Sequence, residues 1–314
     1  MQLSRLIAFR NKMRELRPQD TESVLRDHAG ASLHWAQTHP VRYPGLIDEL
    51  ERGYRSIREA YHEYDAMVDV VLDRVQRDID AQELKYFADS QRLYETDFRS
   101  EPADYVLDRR LQFDDATQEY LQGRIQLFSD WRHTGMILHP GREPWVEHLV
   151  GCDPLYLVDV NSELLIPARD RFNEQYQRRL RLYSIRESAD DAMMSRLPDG
   201  QFGFCLAYNF FNYRPMEIVE AYLRELYTKM RPGGVVAFTI NDCDRHGAVE
   251  LTERFFMCYT PGSMVQAFCE RIGFELREKR VLDNATTWLE MIKPGEFATL
   301  RGGQTLARVV AKSK

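Results

Sequence analysis

From Gly135 onward, short apolar runs alternate with helical stretches, and this alternation restricts the second half of the chain to a mostly parallel α/β sheet. The stretch that sets the pattern is M-I-L-H-P-G-R-E-P-W-V-E-H-L-V-G-C-D-P-L-Y-L-V-D-V-N, Met136 to Asn161. It reads as a strand from Met136 to His139, a tight turn at Pro140-Gly141 and a brief helix from about Pro144 to Val150. A second strand, Leu155 to Val158, then ends on Asp159.

The order strand, turn, helix, strand, acid is the first half of a nucleotide-binding α/β domain, in which a helix N-terminus meets an anionic group and the acid takes ribose hydroxyls. Downstream the spacing predicts a helix over Ser162 to Arg178, a strand over Leu180 to Ile185 and a short helix over Asp190 to Leu197. A strand over Phe202 to Tyr208, a helix over Pro215 to Met230 and a strand over Val235 to Ile240 follow. A helix from Thr260 to Ile272, two strands over Phe274 to Leu282 and Thr286 to Ile292, and a last apolar run at Thr305 to Ala311 complete the reading.

Residues 1 to 132 differ. β-Branched runs are nearly absent, and apolar residues recur at helical spacing, as in Ile57, Tyr61, Tyr64, Val68, Val71 and Leu72. Pro18, His39-Pro40 and Tyr43-Pro44-Gly45 punctuate the segment. Helices are expected over Leu46 to Asp78, Ala81 to Phe98, from Ser100-Glu101-Pro102 onward, and over Ala116 to Phe128 with Asp114 as N-cap. This helical N-terminal region is expected to pack on the sheet domain or to serve oligomerisation or partner binding.

With 44% hydrophobic and 11% aromatic residues, the 314-residue chain has ample material for a core. A formal charge of −7 argues against a general nucleic-acid or acidic-membrane binder. Cys152, Cys205, Cys243, Cys258 and Cys269 are scattered, with no C-x-x-C spacing, so neither a structural zinc site nor a disulfide framework is expected, and a reducing cytoplasm is the expected location. No signal peptide or membrane span is read from the sequence.

L-R-E-L-Y-T-K-M-R-P-G-G-V-V-A-F-T-I, Leu223 to Ile240, together with Tyr259-Thr260-Pro261 and the Gly273-Phe274 junction, resembles class I S-adenosylmethionine-dependent methyltransferases. The resemblance covers residues 135 to 292 and is most similar to methyltransferase-domain proteins of tailed bacteriophages. It implies a three-layer, Rossmann-like domain with a seven-stranded, mostly parallel sheet over residues 133 to 314, and S-adenosylmethionine as cofactor.

By position, the resemblance implies that Asp159, with Val160 beside it, holds the ribose hydroxyls, which suits a carboxylate facing two donors. Of the family's spaced glycines only Gly141 remains; His139 stands at the first position and Glu143 at the third. Arg142 is a candidate partner for the cofactor's carboxylate, or simply an exposed arginine. Ser184 and Ile185 fall, with Tyr183, where these domains line the adenine. Asn209 faces the methyl group and is the candidate catalytic residue, with Phe210 as cofactor contact. Phe211 and Tyr213 form an aromatic wall for substrate, or core packing. Asn241 and Asp242 make a polar substrate loop; with Asp244 and His246 they also compose a D-x-D-x-H pattern suited to a divalent ion, a lesser reading. Arg178, Arg179, Arg181 and Arg186 read as a solvated basic run or an acidic-substrate track. The expected function is methyl transfer to an unidentified acceptor. The alternatives are a non-catalytic scaffold of the same fold and a nucleic-acid amino-methyltransferase resting on Asn209.

Overall fold

The computed structural model describes residues 2–16, 34, 37–38, 45–98, 113–141, 144–189 and 192–295. The expected helix at residues 100–102, the apolar run at 305–311, Arg142 and Glu143 lie outside them. The chain divides into two compact units, Met1–Leu84 and Lys85–Lys314.

In the first unit, α1 spans Leu3–Leu16, and its Leu3, Leu6 and Ile7 are buried. Arg10 of α1 donates to the Gln76 side chain at 3.0 Å. Gln76 lies in α2, Leu46–Leu93, a single helix where the sequence reading placed two. Nothing between Asp78 and Ala81 breaks a helix; Ile79 in that gap is buried and continues the apolar face. A π turn, Tyr94–Phe98, ends it.

The second unit holds a seven-stranded sheet in the order β3-β2-β1-β4-β5-β7-β6. The strands are β1 Thr134–Leu138, β2 Leu155–Asp159, β3 Leu180–Ser184, β4 Phe202–Ala207, β5 Met230–Asn241, β6 Glu275–Val281 and β7 Thr286–Ile292. β1 to β5 are parallel; β7 runs antiparallel to β5 and to β6. Alternate residues feed two cores, Met136, Leu138, Cys205 and Ala207 on one face and Ile137, Leu157, Phe204 and Leu206 on the other. β6 lies at the sheet's edge, and its charged sequence E-L-R-E-K-R-V suits an unpaired edge.

α3, Asp115–Phe128, begins as the sequence indicates, with the Asp114 carboxylate accepting from Thr117 N at 2.8 Å. Its Leu121, Ile125 and Phe128 enter the second core, and Arg124 forms a two-pronged ion pair with the buried Glu290 of β7. These contacts tie α3 to the sheet within the second unit.

The helix expected over Ser162 to Arg178 is broken into a 3-10 turn Ser162–Leu164, α4 Leu165–Asp170 and α5 Glu174–Gln177. Asn173 explains the break between α4 and α5, since its side chain accepts from Tyr176 N and starts a new turn; at the front, Asn161 rather than Ser162 is the cap, accepting from Glu163 N. Between β1 and β2 the helix is one 3-10 turn, Val146–Leu149. α6 is Met216–Lys229, α7 His246–Glu253 and α8 Gly262–Arg271; α7 was not anticipated. No described helix is long and apolar enough to cross a membrane.

Candidate functional site

The carboxyl ends of β1, β2 and β4 converge where open α/β sheets hold ligands. β1 is shorter than the sequence suggests because His139 leaves the strand with φ 57°. Asn209, two residues past β4, also has a positive φ, 48°. Neither residue is glycine, and such backbone costs about 1 kcal/mol or more unless its surroundings hold it.

Asp159, at the end of β2, is 2% exposed. One carboxylate oxygen accepts from Asn161 N at 2.9 Å, which fixes the rotamer; the other receives no hydrogen bond and lies 3.3 Å from His139 Nδ1. The imidazole thus stands over the carboxylate. Val160 and Ile185 are half-buried beside it, Ser184 is exposed, and Ile185 N donates to Asp159 O at 2.9 Å. Gly141 is buried, yet a methyl group there would meet only Leu164 Cδ1, at 3.6 Å. Close approach within the protein therefore does not demand this glycine.

Asn209 is 2% exposed and its carboxamide oxygen has no hydrogen-bond partner. Its backbone N–H donates to Thr239 Oγ1 at 2.7 Å, and that hydroxyl donates to Asn212 Oδ1 at 3.2 Å. A buried carbonyl without a donor costs roughly 1–3 kcal/mol. Trp145 Nε1 is likewise buried without a partner, with its ring 5.7 Å from that of Tyr208.

The aromatic residues after Asn209 belong to the core. Phe210 packs on Tyr222 at 5.0 Å, Phe211 on Phe238 at 5.3 Å and Tyr213 on Phe98 at 5.4 Å. Only Phe210 also approaches the His139 ring, at 6.3 Å. The loop is held by a buried polar knot that sequence spacing could not disclose. Glu187 accepts from Arg214 Nε at 2.7 Å, Tyr222 Oη at 2.7 Å and Tyr94 Oη at 2.5 Å. Arg214 donates onward to Phe210 O at 2.9 Å and lies 3.7 Å above the Phe210 ring. Burial, then the adjacent Glu187, raises the Tyr222 pKa well above its usual value, so this hydroxyl stays a donor.

Asn241 and Asp242, at the end of β5, bind other elements, although the Asn241 carboxamide oxygen, like that of Asn209, has no hydrogen-bond partner. The Asn241 amide donates to Ala248 O, Thr252 Oγ1 and Cys258 O at 3.0–3.1 Å, tying β5 to α7. Asp242 accepts from Gly262 N at 3.0 Å, Asp244 N at 3.2 Å and Thr287 Oγ1 at 2.6 Å. Asp244 caps α8 through Ser263 N at 2.6 Å, and His246 faces Glu250 at 3.8 Å. Among the described residues no three His, Cys, Asp or Glu side chains come together as metal ligands. Burial pushes the Cys152, Cys243 and Cys269 thiols up to about 12, which removes them as nucleophiles near neutral pH.

No family model matches the chain, and no curated protein matches it. Solved structures do. A putative sarcosine dimethylglycine methyltransferase from Galdieria sulphuraria is 9% identical over 58% of this chain and 92% of its own, with a TM-score of 0.46. An S-adenosylmethionine-dependent methyltransferase from Mesorhizobium loti is 11% identical over 57% of this chain and 99% of its own, at 0.45. The N-methyltransferase NodS from Bradyrhizobium japonicum WM9 is 12% identical over 58% and 99%, at 0.43. At such identities and scores these likenesses say nothing of ligand or reaction. The architecture rests on the chain's own strand order.

Proposed function

We propose that the chain binds S-adenosylmethionine at the ends of β1, β2 and β4 and transfers its methyl group to an acceptor. The observation that carries the reading is Asp159, a buried carboxylate fixed through one oxygen and left without a hydrogen-bond donor on the other. A buried carboxylate oxygen without a donor carries a cost that a donor removes, and vicinal ribose hydroxyls are such donors. Asn209 supports the same reading, since its buried carbonyl calls for an N–H or O–H.

In this arrangement Asp159 orients the ribose, Val160, Ser184 and Ile185 flank the adenine, and Asn209 and Phe210 border the reacting end. Gly141 and Arg142 would meet the cofactor's amino-acid end. The cofactor supplies an already activated methyl carbon, so the protein's part is proximity, alignment and exclusion of water. The Glu187–Arg214 knot serves that end by fixing the Phe210 backbone.

A non-catalytic role for the fold is favoured by one feature: the His139 imidazole beside Asp159, where a cofactor wants room. Calorimetric titration with S-adenosylmethionine and S-adenosylhomocysteine separates the two. Heat of binding, with a thermal upshift, is expected; no heat and no shift at millimolar cofactor would sink the enzyme reading.

A further inference from the structure

α2 carries a seam that its own unit covers only in part. In steps of three and four, Ile47, Leu50, Tyr54, Ile57, Tyr61, Tyr64, Val68, Val71 and Val75 occupy the a and d positions of successive heptads. A repeat of 3.5 residues marks a helix that supercoils with another helix. Val68 and Val75 are 1% and 9% exposed, whereas Ile47, Ile57 and Tyr64 are 38%, 45% and 42% exposed. The seam is closed at its C-terminal end and partly open from Ile47 to Tyr64, where Leu50, Tyr54 and Tyr61 are half-buried between the exposed residues, about 27 Å of helix at 1.5 Å per residue.

We propose that this open half pairs with the same half of a second copy, antiparallel, across a two-fold axis. The register follows from the positions. Setting Ile47 against Tyr64, Leu50 against Tyr61 and Tyr54 against Ile57 gives each of the six seam residues another of the six and leaves none over. In that register Glu51 of each copy stands opposite Arg58 of the other, on one flank. The opposite flank sets Gly53 against Ala60, two small residues that let the backbones approach. A parallel pair would face Glu51 with Leu46 and Arg58 with Gly53, and match no charges. The contact is self-complementary and closes at two chains. Burial of the apolar seam drives the association; the charge pairs at its rim choose the orientation.

Light scattering and sedimentation of the full chain test this. The expected mass is twice that of one chain, and a single-chain mass at every concentration overturns the proposal. Ile57→Lys should give single chains with unchanged helical circular dichroism, while Val70→Lys, which lies off the seam, should leave the pair intact. A pair that survives Ile57→Lys overturns it. Should Ile57→Lys lose helicity, the charge swap decides: Glu51→Arg weakens the pair about threefold, and adding Arg58→Glu restores it. No restoration overturns the register. Copies bearing Ile47→Cys should cross-link to copies bearing Tyr64→Cys and not to one another; self-linking of Ile47→Cys overturns the antiparallel sense.

Discussion

Asp159 and Asp242 are both buried aspartates at strand ends on the same edge of one sheet, 2% and 3% exposed, and they do opposite things. Asp242 accepts through both oxygens, from two backbone amides and the Thr287 hydroxyl, and so joins β5, β7 and α8. Asp159 satisfies one oxygen with Asn161 N and holds the other beside an imidazole, without a hydrogen bond. A buried carboxylate whose bonds are complete is part of the scaffold. One whose bonds are incomplete carries a cost that a ligand removes.

The comparison breaks most visibly by truncation of Asp242. Asp242→Ala leaves three donors, two of them buried, without an acceptor and should cost about 4 kcal/mol, read as a lower denaturation midpoint with unchanged slope. Asp159→Ala should cost far less stability but weaken S-adenosylmethionine by about 100-fold in calorimetry, the loss of charge-assisted bonds to two hydroxyls. If Asp159→Ala unfolds the chain and Asp242→Ala spares it, the division of labour is reversed.

The sheet's other edge supplies a pH counterpart. His133 is 4% exposed; burial first, and then the Arg231 guanidinium, hold its pKa down to about 4 from 6.5. The unfolded chain binds this proton between those values and the folded chain does not, so stability rises with pH there. It is fully present above pH 6.5 and lost as pH falls through about 4, on the order of 3 kcal/mol in all at 1.36 kcal/mol per unit. Denaturation midpoints measured across this range should lose that slope in His133→Gln.

His139→Gly is the smallest and most pointed change. It relieves a left-handed side-chain residue, stabilising by about 1 kcal/mol, and it clears the space above Asp159. Cofactor affinity should rise several-fold. A fall would mean that the imidazole is itself a ligand contact.

Much of the sheet was legible in the sequence because each strand is a short apolar run bounded by turn residues. β7 has the expected bounds, Thr286–Ile292. What escaped is non-local or stereochemical. Asn173 offers a side-chain acceptor that interrupts a helix whose apolar spacing runs on unbroken, and Asn161 takes the cap expected of Ser162. α7 begins at His246-Gly247, where a polar loop pattern hid its start. In the candidate site, Asp159 was identifiable from its place at a strand end, but its missing donor was not. The Asn209 carbonyl and the D-x-D-x-H run look equally polar in sequence. Only packing distinguishes Asn209, with its orphan oxygen, from Asp242 and Asp244, which bind α8.

The knot around Glu187 sets the limits of any dissection. Tyr94 precedes the sheet by some forty residues, yet it supplies one of the three donors around this carboxylate, and the buried Ser90 hydroxyl accepts from Tyr259 N at 2.7 Å. A chain begun at Phe113 would keep every strand and still admit water to the Glu187–Arg214 pair, loosening the backbone carbonyl of Phe210. The smallest portable form of this sheet domain therefore starts before Tyr86, whose hydroxyl bonds Glu253 at 3.0 Å. Domain swaps and truncations designed on the strands alone would carry over the shape of the site without its rigidity.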